Sequence, residues 1–309
     1  MRSMRVLFSM ALVAFAAAQL WADAPHLYFV ANGGSGVGCT FAAPCGSWST
    51  AIGLATSGDT ITAITAGNFG EIELSSGKGV IIDGGGFDAG ILGEGVYIDM
   101  ADGDSAVLRG LHLNGSGAGA SGIGIRFAGG GSLVVEDCQI QNYGKRGISI
   151  ENITDGAKVL ISNTTVSGQA GTGGAGGNGI IVIPPASHTN TVLLDHVRIE
   201  NNLNSGVGVN AGGIVEIRDS VLSNNAVWGL VADGLGAQVS IENTSVSGNL
   251  IGIQASTGGA VRMSNINVWN NATGLVVNSG TITSFGNNSL HGNTTANGPS
   301  PTLLPAGLQ

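Results

Sequence analysis

Eight six-residue segments of this chain stack under one another with apolar residues in the first and last columns every time. They are Leu108–Leu113, Val135–Ile140, Ile161–Val166, Leu194–Ile199, Ile217–Leu222, Ile241–Val246, Met263–Val268 and Phe285–Leu290. Their starts lie 27, 26, 33, 23, 24, 22 and 22 residues apart. The third column reads Gly110, Asp137, Asn163, His196, Asp219, Asn243, Asn265 and Asn287. Self-similarity at such a period marks a solenoid, in which each repeat is one turn and buries its apolar face against its neighbours.

A second motif follows each segment but the last: a Gly with apolar residues one and three places later. It begins at Gly122, Gly147, Gly179, Gly206, Gly229, Gly252 and Gly274. Apolar residues at a period of two make each piece a strand with one buried face. Coils stacked ~4.8 Å apart then pair every backbone donor with a neighbouring coil. The Asn/Asp column suits a sharp left-handed corner, because these side chains tolerate that backbone and bond to it. In register, their amides can also bond one another.

These features resemble the right-handed parallel β-helix repeat proteins of the pectin lyase-like superfamily, and in particular its secreted bacterial members of unassigned function. The resemblance runs from Tyr28 almost to the end. Its opening segment is Tyr28-Phe-Val-Ala-Asn-Gly33, the Cys39…Pro44-Cys45 loop, a short helix, and Gly58-Asp59-Thr60-Ile61. The resemblance implies an all-β solenoid of roughly ten coils, the first two or three irregular, with a short N-terminal capping helix. In that helix Trp48, Ile52 and Ala55 form one apolar stripe that would plug the open end of the solenoid. The expected layout is a leader over 1–22, a cap over 25–58, the β-helix over 59–293 and a tail over 294–309. In the tail, Leu303-Leu304 would lie over the last coil.

The leader reads as a secretory signal peptide. Arg2 and Arg5 precede an apolar run from Val6 to Leu20, with Ala18, Ala22 and Ala24 as cleavage options. That run falls short of the roughly 20 residues needed to span a bilayer, and no later stretch is long enough. A secreted or periplasmic location follows. Losing Arg2 and Arg5 leaves nine of the 11 basic residues in a chain whose formal charge is already −9. That balance speaks against nucleic acid or an anionic membrane surface as a partner. Cys39 and Cys45 bracket a loop that a disulfide can close in an oxidising compartment. Cys138, beside the buried columns, reads as a core thiol. With no His/Cys cluster near it, no zinc site is expected.

By resemblance, a ligand would meet the face formed by the Gly-led strands. The outward residues there, two and four places after each Gly, include Arg126, Glu151, Asn210 and Asp233, with Arg126 and Glu151 one coil apart as a surface ion pair. The flanking loops add Tyr143, Lys145, Arg146, His188 and Trp228. Tyr143 and Trp228 could stack on sugar rings or pack on their neighbours. Glycoside hydrolysis needs two carboxyls about 5–9.5 Å apart. Glu151 and Asp233 share a column three coils apart, about 14 Å at the strand spacing, so a hydrolase is not expected. Lyase or epimerase chemistry on uronates needs only a base and a cation, for which Lys145 and Arg146 are the candidates.

Asp195-His196 matches two residues of a pectate lyase pattern, but Asp195, Arg218 and Glu242 read more simply as an outward ladder of alternating charge. Asp99, Asp102 and Asp104 could offer oxygen to Ca²⁺, yet about six to eight ligands are required and nothing nearby supplies the rest. No cofactor is expected. Two long loops, Gly168–Asn178 and Pro184–Asn190, either form a lid beside Lys145-Arg146 or are tolerated insertions. The leading reading is an exported, monomeric β-helix without a catalytic site that meets carbohydrate or cell-envelope material. A uronate lyase or epimerase, and a structural or adhesion protein, are the rivals.

Overall fold

From Thr60 to Asn278 each coil forms three short strands, and strands at the same position of successive coils pair in parallel. The computed structural model describes residues 24–93, 95–116, 119, 122–171, 176–295 and 302–303. The segment 1–22, where a leader is expected, therefore lies outside the described residues. Among them, three sheets of twelve, nine and ten strands wind into a right-handed parallel β-helix of about nine turns with one short helix.

The first sheet carries the first apolar column, with Leu108, Val135, Ile161, Leu194, Ile217, Ile241 and Met263 in register. The third sheet carries the last column, from Leu113 through Ile140 and Val166 to Leu290. The second sheet holds the Gly-led strands. All three turn their apolar residues into one continuous core.

Between the first and third sheets the chain turns on one residue. Gly110, Asp137, Asn163, His196, Asp219, Asn243 and Asn265 all have φ between 46° and 62°. Asn265 Nδ2 donates to Asn243 Oδ1 at 2.8 Å, and Asn243 donates to Asp219. The corner column is as the sequence implies.

The register departs from the sequence alignment in two coils. Ser284, not Phe285, pairs with Met263. Gly286 (φ 87°) takes the left-handed corner, and Phe285 is half-buried. In the second sheet, Gly147 stands opposite Gly124 rather than Gly122, since Ile125 pairs with Ile148 and Arg126 with Ser149. Gly124-Ile-Arg-Phe127 fits the motif as well as Gly122-Ile-Gly-Ile125. A slip of two residues keeps every side chain on its own face, so the alternation alone cannot distinguish them.

At the N-terminal end, the helix Trp48–Leu54 is capped by Ser47, whose hydroxyl accepts from Thr50 N. It buries Trp48, Ala51 and Ile52, with Trp48 edge-on to Phe69 at 5.2 Å. Cys39 and Cys45 are joined, with Cα atoms 4.6 Å apart. In the tail, Thr302–Leu303 adds a parallel strand against Thr283 and Ser284; Leu304 lies outside the described residues.

Asp59 anchors this end. Its buried carboxylate accepts from His26 N and Thr56 N, both at 2.7 Å, and from Thr56 Oγ1 at 3.0 Å. Burial alone would raise its pKa, but the donated hydrogen bonds outweigh it and hold the group below its ordinary value. A lowered folded pKa contributes stability above the unfolded value of about 3.9, and that contribution is lost as pH falls through the folded value. The melting-temperature gap between wild type and Asp59→Ala should therefore be steady above about pH 5 and narrow toward pH ~2. A gap undiminished at the acid end would mean that the ionised carboxylate is not what holds the cap.

Candidate functional site

The second sheet divides the candidate residues between its two edges. Lys145, Arg146 and Trp228 stand where strands enter it, Arg126 faces outward within it, and Glu151, Asn210 and Asp233 stand where strands leave. Glu151, Ile183, Asn210, Asp233 and Ser256 follow one another coil by coil in one outward column. Glu151 and Asp233 are thus three coils apart, about 14 Å at the strand spacing.

Across the face of the sheet, from entry to exit, the one carboxylate of Glu151 draws two guanidiniums together. Arg126 Nη2 lies 2.9 Å from Glu151 Oε2, and Arg146 Nη1 lies 2.5 Å from Glu151 Oε1 and 2.8 Å from Ser149 Oγ. Ser149 Oγ donates to the same carboxylate at 2.7 Å. The Arg126–Glu151 pair survives the two-residue slip because Arg126 reaches it diagonally. Burial raises the Glu151 carboxyl, but the Ser149 and Arg126 hydrogen bonds and both guanidinium charges outweigh that and lower it. The Arg146 side chain is only 14% exposed, and burial depresses its pKa. A guanidinium so enclosed is poorly placed to neutralise a substrate carboxylate. Lys145 is half-exposed on the turn, its backbone N–H donating to Gly122 O at 2.9 Å.

Tyr143 is not a surface residue. It is fully buried, and added Cβ atoms at Gly115 and Gly124 would come within 2.6 and 3.0 Å of its ring. Its backbone N–H donates to Gln169 Oε1 at 2.7 Å. It stands at the head of an internal column that continues through Gln169, Asn202, Asn225, Asn249, Asn271 and Asn293, so it cannot stack on a ligand. Each of these follows its apolar last-column residue by three places, a sequence signal the surface reading passes over. Trp228 is half-buried, its Nε1 donating to Gln254 Oε1 at 2.9 Å. Cys138 is buried and its thiol is pushed up to about 12 by that burial.

The other candidates are tied into the scaffold. Asp102 accepts from Thr154 Oγ1 at 2.9 Å, and Asp104 from Gly77 N at 2.7 Å and Ser57 Oγ at 3.2 Å. Asp99 accepts from Tyr97 OH at 3.4 Å. Asp102 and Asp104 thus tie other turns to their own, and Asp99 bonds within its own strand. Asp195 meets Arg218 at 3.0 Å and His196 Nδ1 at 2.7 Å. Asp195, His196 and Asp219 bring one ligand-type atom each within 4.8 Å of the others, but the Arg218 guanidinium already supplies positive charge there.

The exit edge is different. Here the 184–189 insertion rises beside the turns of the next coils and encloses a cleft of about 790 Å³. His188, Asn210 and Asp233 line it with Pro184, Ile214 and Leu235. Asp233 Oδ1 accepts from Ser256 Oγ at 3.0 Å. His188 Nδ1 lies 3.1 Å from Ala186 O. Ser187 (φ 70°) and Thr257 (φ 52°) on the rim hold left-handed backbone, which is costly for a β-branched residue and concentrates at functional sites. The two long loops do not share an edge. Gly176 lies beside Gly144 and Lys145, whereas 184–189 walls the opposite side, so only the former adjoins Lys145-Arg146.

A parallel solenoid with a loop-walled cleft along one edge of a sheet is a β-helix repeat protein. The chain belongs to the family described as right handed beta helix region, which matches residues 94–260. No curated protein matches it. Among solved structures, it is similar to the crystal structure of pectate lyase Pel9A, with 16% identity, a TM-score of 0.53, and coverage of 89% of this chain and 79% of that one. At that identity the likeness is one of fold.

Proposed function

We propose that this protein is a polysaccharide-binding β-helix that holds a glycan in the 184–189 cleft without transforming it. The gathering of His188, Asn210 and Asp233 in one cleft carries the reading. The volume falls in the range of small-ligand sites, and apolar walls with a few convergent polar groups are what such sites contain. Fold analogy with a pectate lyase puts polysaccharide among the ligands this scaffold can take. Against lyase or epimerase chemistry stands the engagement of both Arg126 and Arg146 with Glu151. A cleaved leader would place the encounter in the periplasm or outside the cell.

Affinity electrophoresis against a polysaccharide panel, with ultraviolet detection of unsaturated product, tests this. We expect retardation by a glycan and no product. Asn210→Ala should weaken retention at least about tenfold, ~1.4 kcal/mol, at an unchanged melting temperature. Product formation abolished by Lys145→Ala would replace this reading with a lyase. A folded protein retained by no glycan would leave a structural or adhesion role.

A further inference from the structure

Resting on the reading that the 184–189 cleft holds a glycan, we infer that its ligand is an uncharged saccharide and that polyuronates are excluded. Among the described residues no Lys or Arg lines the cleft; its basic side chain is the His188 imidazole and its carboxylate is Asp233. A second carboxylate, Asp155, supports the same loop by accepting from Thr189 N and Oγ1, each at 2.8 Å. The whole chain carries a formal charge of −9, so the long-range field also disfavours an anionic polymer. A uronate carboxylate is held well by charge-assisted donors, above all a guanidinium. Here it would face Asp233 instead, and like charges brought together at an interface are a strong element of rejection. The nearest arginines on this sheet, Arg126 and Arg146, are both engaged with Glu151.

What the cleft does offer suits hydroxyl groups. One Asp233 oxygen accepts from Ser256, and the exposed carboxylate has a second oxygen with no hydrogen bond to the described residues. Asn210, register partner of Asp233 on the adjacent coil, is exposed and its amide makes no hydrogen bond to the described residues. It presents an acceptor and two donors about 4.8 Å from Asp233 along the column. A sugar hydroxyl both donates and accepts, so this pair can take hydroxyls in either sense. Pro184, Pro185, Ile214 and Leu235 add apolar lining to the same cleft. Leu235 is 83% exposed, apolar surface that the C–H face of a sugar ring would cover.

The test compares retention of the full-length protein by a neutral glucan or galactomannan, by polygalacturonate, and by the same polymer fully methyl-esterified, at low and high salt. Esterification removes the charge and keeps the backbone. We expect a neutral or esterified polymer to bind at least tenfold tighter than polygalacturonate, with little salt dependence. Asp233→Asn and Asn210→Ala should each weaken that binding at least tenfold in folded protein. Preferred binding of polygalacturonate that salt weakens and Asp233→Asn strengthens would overturn the inference and leave a glycan-binding cleft in place. Binding of any polymer that Lys145→Ala abolishes and both cleft variants leave intact would move the site to the other edge and overturn both. Retention by none of them would overturn the glycan reading itself.

Discussion

Gly229→Ala should lower the melting temperature by roughly 5 °C or more, while Gly208→Ala, in the neighbouring strand of the same sheet, should leave it nearly unchanged. A Cβ at Gly229 would lie 2.6 Å from Val246 Cγ1, 2.7 Å from Gly252 O and 2.9 Å from Asn249 Nδ2. The obstruction comes partly from backbone of the next coil, which cannot move without shifting the second sheet. Overpacking of this kind costs ~1–3 kcal/mol. Gly206 and Gly252 meet the next glycine's carbonyl in the same way, at 2.7 and 2.6 Å. At Gly208 the nearest atom is Ser205 Oγ at 3.4 Å, ordinary contact. Gly208 also shares its outward column with Ile181 and Val231, which carry full side chains. Thermal denaturation of the two variants side by side decides it, and equal melting temperatures would mean that the glycine column is not set by close approach.

That column shows how far the sequence could be read. A glycine at each repeat is plain in the primary structure, and so is the three-sheet solenoid, because burial at a period of two and the coil length both leave a trace on every turn. What fixes the glycine is not in its own strand. It is the internal amide and the apolar residue of the adjoining coil, some twenty places further on. The same holds for Tyr143, whose loop context suggests a surface aromatic while its offset of three from Ile140 puts it in the internal column. The slip between Gly122 and Gly124 was illegible for another reason: both registers bury the same residues. The cleft was legible as parts only. His188, Asn210 and Asp233 stand on three successive coils, and their convergence depends on the path of the 184–189 turn, which is longer than the corresponding turns of the two coils that follow. The Arg146–Glu151 contact depends likewise on side-chain direction, and it changes Arg146 from a candidate cation into a buried ion-pair member.

Asn225→Ala should be the other severe substitution, costing ~3 kcal/mol or more, whereas Asn243→Gly in the exposed corner column should cost under about 1 kcal/mol. Both are amides stacked coil on coil, and only their surroundings differ. Asn225 is 1% exposed. Its Oδ1 accepts from Asn202 N at 3.3 Å and Asn202 Nδ2 at 2.8 Å, and its Nδ2 donates to Ile199 O at 3.3 Å and Asn249 Oδ1 at 3.2 Å. Truncation leaves the Asn202 donors without their acceptor at a place water does not reach, and each buried group so abandoned costs ~1–3 kcal/mol. Asn225→Asp would restore the acceptor but remove both donors and set a carboxylate against carbonyl oxygens, so it should not rescue. At Asn243 the lost partners, Asp219 and Asn265, face solvent, and glycine keeps the left-handed backbone (φ 50°) without strain. Because each coil contacts only its neighbours, a broken rung also uncouples the turns on either side. Denaturant unfolding should then be broader in Asn225→Ala than in wild type. If Asn225→Ala costs no more than Asn243→Gly, the internal ladder is a by-product of stacking and the apolar columns alone hold the coils together.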